Sequence, residues 1–206
     1  MCETCTIKGS FLKKNSIVYH AAGTEKYDFS KFYINYTVEH WKNSFYCSLE
    51  GLAKSYLFVN DGAIKCSSNE EKPFLHKIEV KRDIEFLISY CSEFKKGSVS
   101  KQYLPENMVA ILKKHDILPS AFDKTKYSFM AELGKKGYAF RCYHDTDGNW
   151  ELIIPYHLMK ADNFKFVSCQ KFSSFSEVNA AQKEDAASNN LEMSKIFTAP
   201  FDTRLY

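Results

Sequence analysis

Residues 137 to 158, GYAFRCYHDTDGNWELIIPYHL, constrain the fold of this chain more than any other stretch. Two runs rich in aromatic and β-branched residues flank DTDGN, whose Asp and Gly residues favour a reversal, so the whole reads as a β-hairpin. SIVYH (16 to 20), FYCS (45 to 48), HKIEVKR (76 to 82) and FKFVSC (164 to 169) are further short strand-like runs bounded by polar residues. Between them lie segments with helical spacing. Leu49 to Val59 puts Leu52, Ala53, Tyr56 and Leu57 on one face and ends at the turn signal Asp61-Gly62. DIEFLISYCSEF (83 to 94) is expected to be helical. So is PENMVAILKKHDIL (105 to 118), where Pro105 and Glu106 suit a helix start and Met108, Ile111 and Leu112 share a stripe. Residues 30 to 42 show no clean period. Helices inserted among mostly short strands make α+β the expected class, rather than a regular βαβ alternation.

A chain of 206 residues supports one domain with a core and is short for two. The expected organisation is a single domain over residues 1–170. After Lys171 the composition turns to Ser, Ala, Asn, Gln and Glu, so 171–206 reads as a polar helix or tail packed on that domain or extending from it. Aromatic residues at 16% imply a core heavy in Phe and Tyr. The formal net charge is only +3, with acidic and basic residues interleaved, which gives no support to a phosphate-binding surface. Seven cysteines at 2, 5, 47, 66, 91, 142 and 169 do not read as a disulfide framework and suggest thiols in a reducing compartment. Cys2 and Cys5 form one CxxC without the second pair a zinc site needs, so no metal is expected. No apolar run has the length of a signal peptide core or a membrane span. No GxGxxG, P-loop, HExxH or GxSxG occurs, which disfavours the enzyme classes built on them.

Polar residues gather where three of the strands end: YHAAG at 19 to 23, FYCS with AKSYL at 45 to 57, and NWELIIPYHLMKADNFKFV at 149 to 167. In this order and spacing they resemble the three motifs of the ADP-ribosyltransferase superfamily, in its His-Tyr-Glu branch of diphtheria toxin and the poly(ADP-ribose) polymerases. The resemblance lies in short motifs spread over residues 17 to 167, and it implies a split β-sheet core holding NAD+ in a cleft, with surrounding helices.

The resemblance gives His20 a ribose hydroxyl of NAD+, and gives the backbone just after it the nicotinamide amide. Ala21 stands where the family usually has Gly or Ser. Tyr46 matches a strand tyrosine that stacks on nicotinamide, Ser55 a serine that bonds its carboxamide, and Tyr56 the second stacking ring, although Tyr56 follows Ser55 directly where the family has intervening residues. Cofactor contacts are thereby implied for His20, Ala21, Tyr46, Ser48, Ser55 and Tyr56. Catalysis is implied for Glu151 with Tyr46 and His20. The glutamate opens a strand, bonds the 2'-hydroxyl of the nicotinamide ribose, and stabilises the positive charge that builds as the glycosidic bond breaks. Asp147, Asn149 and Trp150 fall in the loop that contacts the target, and Asn149 stands where arginine-modifying members carry Glu. Taken singly, each residue has a plainer reading: a histidine capping a strand, tyrosines filling a core, a carboxylate beside a turn.

The expected activity is mono-ADP-ribosylation of a protein side chain by a monomer, with NAD+ as co-substrate and nicotinamide as leaving group. An intracellular enzyme, or an effector or toxin delivered into a host cell where it serves virulence, would fit. The alternatives are the same fold acting on nucleic acid, by ADP-ribosylation or RNA 2'-phosphotransfer, and a module that binds NAD or protein without transfer.

Overall fold

A computed structural model describes residues 6–26, 28–29, 44–62, 71–90, 113, 137–144, 149–183, 195–199 and 201–202. Among the described residues the fold is α+β, with far more strand than helix. In chain order the elements are β1 (Thr6–Leu12), β2 (Ile17–Ala22), β3 (Ser44–Ser48), α1 (Glu50–Ser55), β4 (Phe74–Val80), β5 (Ile84–Tyr90), β6 (Ala139–His144), β7 (Asn149–Pro155), a 3-10 turn at Tyr156–Leu158, β8 (Phe164–Lys171), α2 (Phe175–Lys183) and β9 (Phe201–Asp202). The strands follow the spatial order β8-β4-β2-β3-β7-β6-β5-β1-β9, antiparallel throughout except between β5 and β6.

This ladder has a seam. Most neighbouring strands pair over several residues, but β2 and β3 are joined only at Tyr19↔Ser48 among the described residues. The seam divides β8-β4-β2 from β3-β7-β6-β5-β1-β9. Two short links connect strands from opposite sides of it: residues 13–16 join β1 to β2, and residues 81–83 join β4 to β5. Links this short force the two halves to fold over one another, and the main core forms between them. Val18, Ile78, Val80 and Phe164 from one half meet Leu12, Ile84, Phe86, Phe45, Leu152 and Ile154 from the other. The turn into β2 puts Asn15 at φ 66, and its amide reaches the Val80 carbonyl at 2.7 Å.

A second, smaller core lies on the outer face of β2 and β4. There Ala21 and Leu75 pack with Ala53 of α1, with Leu57 just past its end, with Phe172 ahead of α2, and with Val178 and Ala181 of α2. Thus the described part of 171–206 belongs to the fold. α2 packs beside α1, and β9 ends the sheet by pairing with β1. The Phe201 ring of β9 lies on Gly9, where any side chain would collide with it, and it stacks on Phe11 with ring centroids 5.2 Å apart.

Several expected elements are present. The hairpin is β6 and β7, with His144↔Asn149 its innermost pair. The runs SIVYH, FYCS, HKIEVKR and FKFVSC fall on β2, β3, β4 and β8. The helix expected over 83–94 is corrected: Ile84–Tyr90 is β5, flanked by β1 and β6. Ile84 and Phe86 face the main core, yet Leu87 on the opposite side is also buried, and apolar burial on both faces blurs a strand's alternation. The helix expected from residue 49 to 59 stops at Ser55, because Phe58 forms a bridge to Lys72. The helix expected over 105–118 lies outside the described residues apart from Lys113, which is helical and exposed. Among the described residues, no helix is long and apolar enough to cross a membrane.

Candidate functional site

The three motif strands are neighbours. β2, β3 and β7 stand side by side, and one transverse row runs through them, Tyr19↔Ser48↔Glu151. The row spans two inter-strand spacings, roughly 10 Å. It joins the middle of β2 and the C-terminal end of β3 to the first half of β7, so segments more than a hundred residues apart in sequence meet at the seam.

His20 sits at that seam. Its ring is half-buried, and Nδ1 donates to the Tyr46 carbonyl at 2.7 Å. Because the acceptor is a carbonyl, the proton is on Nδ1, and in the neutral ring Nε2 is left as a hydrogen-bond acceptor. Burial pushes the imidazole from its ordinary 6.5 down to about 3, with the nearby His76 and Lys72 acting in the same direction against the favourable bond to Tyr46. His20 is therefore neutral at neutral pH. Its ring packs on Phe45 with centroids 4.4 Å apart.

Tyr46 is half-buried on β3. Ser48 is buried and turns its hydroxyl onto the Leu49 carbonyl at 2.9 Å. Ala21 is buried in the outer core and pairs with Leu75 on β4. Past β3 the chain enters α1 directly, with Glu50 in the first turn and Lys54 in the last. These two form an i,i+4 ion pair of 3.0 Å that crosses from the solvated Glu50 to a largely buried Lys54. Ser55 ends the helix exposed, and Tyr56, its C-terminal cap, is 42% exposed. Tyr56 therefore does not join the buried stripe of Ala53 and Leu57 that the sequence periodicity assigns it to.

Glu151 and Trp150 are in β7, opposite Cys142 and Tyr143 of β6, and Asn149 opens the strand opposite His144. Asp147 lies outside the described residues.

Register brings some of these positions together and not others. Pairing aligns 46 and 48 with 153 and 151, while Phe45 and Cys47 align with 154 and 152. Position 151 thus belongs to the set of Tyr46 and Ser48. His20 contacts Phe45, from the alternate set, and pairs with His76 on β4. The seam gathers the backbone of all three motifs, but His20 and Glu151 occupy opposite register sets of the sheet.

His76 was not singled out from the sequence. It is fully buried, its Nε2 donates to the Thr24 carbonyl at 2.6 Å, and its ring centroid lies 6.1 Å from that of His20. HKIEVKR marks the strand, but only the β2–β4 register aligns this histidine with His20.

Among the described residues, no group of three or more His, Cys, Asp or Glu side chains could hold a metal ion. No protein-family model matches the chain, and no curated protein matches it either.

Proposed function

We propose that the protein is a mono-ADP-ribosyltransferase that moves ADP-ribose from NAD+ to a protein side chain and releases nicotinamide. The observation that carries this reading is the row Tyr19↔Ser48↔Glu151, which collects three sequence-distant motifs at one seam between sheet halves. The residues there suit a nicotinamide riboside. A neutral His20, its Nδ1 committed to the Tyr46 carbonyl, offers Nε2 to accept a ribose hydroxyl. Bound NAD+ supplies an electrophilic anomeric carbon and a good leaving group in nicotinamide. Tyr46 and Tyr56 supply flat apolar area for the ring, and Ser55 a hydroxyl for its carboxamide. In this reading the Glu151 carboxylate favours the transition state over the ground state as positive charge builds on the ribose, which requires it to reach the ribose from the register set opposite to that of His20. The acceptor class rests on the near-neutral charge balance, which does not favour a polyphosphate partner.

A second reading keeps NAD+ binding without transfer, and the opposite register sets of His20 and Glu151 favour it. One experiment separates the two. Purified protein, wild type beside Glu151→Ala, is incubated with NAD+ labelled in the adenylate moiety and with cell lysate, and both protein labelling and free nicotinamide are measured. Transfer that collapses in the variant supports the enzyme. NAD+ binding with neither transfer nor nicotinamide release supports the binding module. Labelling undiminished in the variant removes Glu151 from the mechanism.

A further inference from the structure

We propose that His76 is a positioning residue, bracing the bend that follows β2 and so holding in place the adjoining backbone at Ala21, which the NAD+-binding reading gives to the nicotinamide carboxamide. The proposal rests on the NAD+-binding reading above and assigns the device that sets that backbone.

The bend over residues 23–26 is held from two sides. On one side it runs close to the Glu71 carbonyl, where a Cβ on Gly23 would lie 3.0 Å from that oxygen. Gly23 therefore permits a close backbone approach. On the other side the His76 imidazole donates Nε2–H to the Thr24 carbonyl at 2.6 Å. The donor is itself fixed. His76 is fully buried on β4, in register with His20, and its ring meets Phe166 of β8 edge-on, at 5.2 Å and 87°. Burial pushes its pKa below the ordinary value, against backbone bonds at Thr24 and Glu25, so it donates as a neutral ring.

The two histidines form a matched pair across β2 and β4. His20 commits one ring nitrogen to the Tyr46 carbonyl on β3, and His76 commits one to the Thr24 carbonyl beyond β2. Between them they fix the two backbone segments that flank the seam. A histidine filling core volume alone would not require a donor aimed at that bend, and this difference makes the role testable.

The test compares wild type with His76→Phe, which keeps volume and loses the donor, and His76→Gln, whose side-chain amide can restore a donor near the Nε2 position. Amide hydrogen exchange is measured on the protein without NAD+. Exchange over residues 21–26 should quicken on the order of tenfold in His76→Phe, recover in part in His76→Gln, and stay unchanged in the β6–β7 hairpin. Unchanged protection at 21–26, or a loss spread equally through β6 and β7, overturns the bracing. Should His76→Phe fail to fold, His76→Asn, whose amide is too short to reach, takes its place. In nicotinamide-release kinetics, KM for NAD+ should rise on the order of tenfold with a much smaller change in kcat, and Gln should rescue it. An unchanged KM beside lost protection overturns the link to the carboxamide. If the wild type neither binds NAD+ nor releases nicotinamide, the parent reading fails, and the exchange data still decide whether His76 braces the bend.

Discussion

The resemblance offers His20 and Tyr56 to the same ligand, yet the fold treats them in opposite ways. His20 is desolvated, held neutral, bonded through Nδ1 to the Tyr46 carbonyl and packed on Phe45, whose own side chain belongs to the main core. Tyr56 caps a six-residue helix and leaves 42% of its surface in solvent. The strand side of the candidate site is thus built before any ligand arrives. The helix side keeps a ring in water and would order it only on binding, at an entropic cost that the strand side does not incur. The difference predicts where substitutions hurt.

The largest effect should come from the strand side. Glu151→Ala is expected to lower nicotinamide release on the order of 10²-fold to 10³-fold, the range seen when a fixed group stabilising transition-state charge is removed. A loss below about threefold would mean that position 151 does not face the reacting ribose. The opposite register sets of His20 and Glu151 would then be a functional fact as well as a geometric one.

Next comes pH. The native His20 titrates near 3 and the unfolded chain near the ordinary 6.5, so between those values the unfolded state binds the proton that the native state refuses. Stability is therefore complete above the unfolded value and falls as pH drops below it, by at most about 1.4 kcal/mol per pH unit for one such group and by less where solvent reaches the ring. His76, also lowered, acts in the same direction. Urea midpoints measured at about pH 7.5 and about pH 5.5, a window in which ordinary carboxylates scarcely titrate, should drop in the wild type and drop less in His20→Leu. Equal drops in the two proteins would show that the ring is not held neutral.

The strand side was also the more legible in the sequence. SIVYH and FYCS announce β2 and β3 because β-branched and aromatic residues end at polar punctuation, and the DTDGN reversal announces the β6–β7 pair. Local signals cannot report partners far along the chain. β1 and β9 carry no local signal of each other, because their pairing, Lys8 with Asp202 and Gly9 with Phe201, joins segments far apart in the sequence. Ile84–Tyr90 read as a helix because both of its faces supply buried apolar residues. At the candidate site, the motif residues are named by the family resemblance of three short segments, and local pattern alone gives each of them a plainer structural reading. The opposite register of His20 and Glu151, and the alignment of His76 with His20, exist only once strands pair. Tyr56 shows the converse failure: its spacing matches the apolar stripe of α1, but the helix ends at Ser55 and the ring turns to solvent.

Nicotinamide binding tests the two proposed ring walls against each other. Tyr46→Ala should weaken it on the order of tenfold, since a half-buried ring on a fixed strand is already oriented, whereas Tyr56→Ala should weaken it only about twofold to threefold. Calorimetric titration of both variants with nicotinamide measures this. Equal losses would mean that Tyr56 closes over the ligand as firmly as Tyr46 supports it.

The smallest effect is expected at Lys54, where the two sides meet. Its side chain is largely buried, and its ammonium lies 3.0 Å from Glu50, whose own side chain is 42% exposed. Lys54→Met keeps the apolar stem in place and removes the charge. The pair's attraction is screened at its solvated end, so the change in unfolding free energy should stay within about 1 kcal/mol, as for other partly exposed i,i+4 pairs. A loss above about 2 kcal/mol by urea denaturation would mean that Lys54 anchors α1 to the sheet through more than this ion pair. The helix side would then be as firmly built as the strand side. Tyr56 would be an exposed ring on a fixed support, and its small expected effect on nicotinamide binding would have to come from orientation alone.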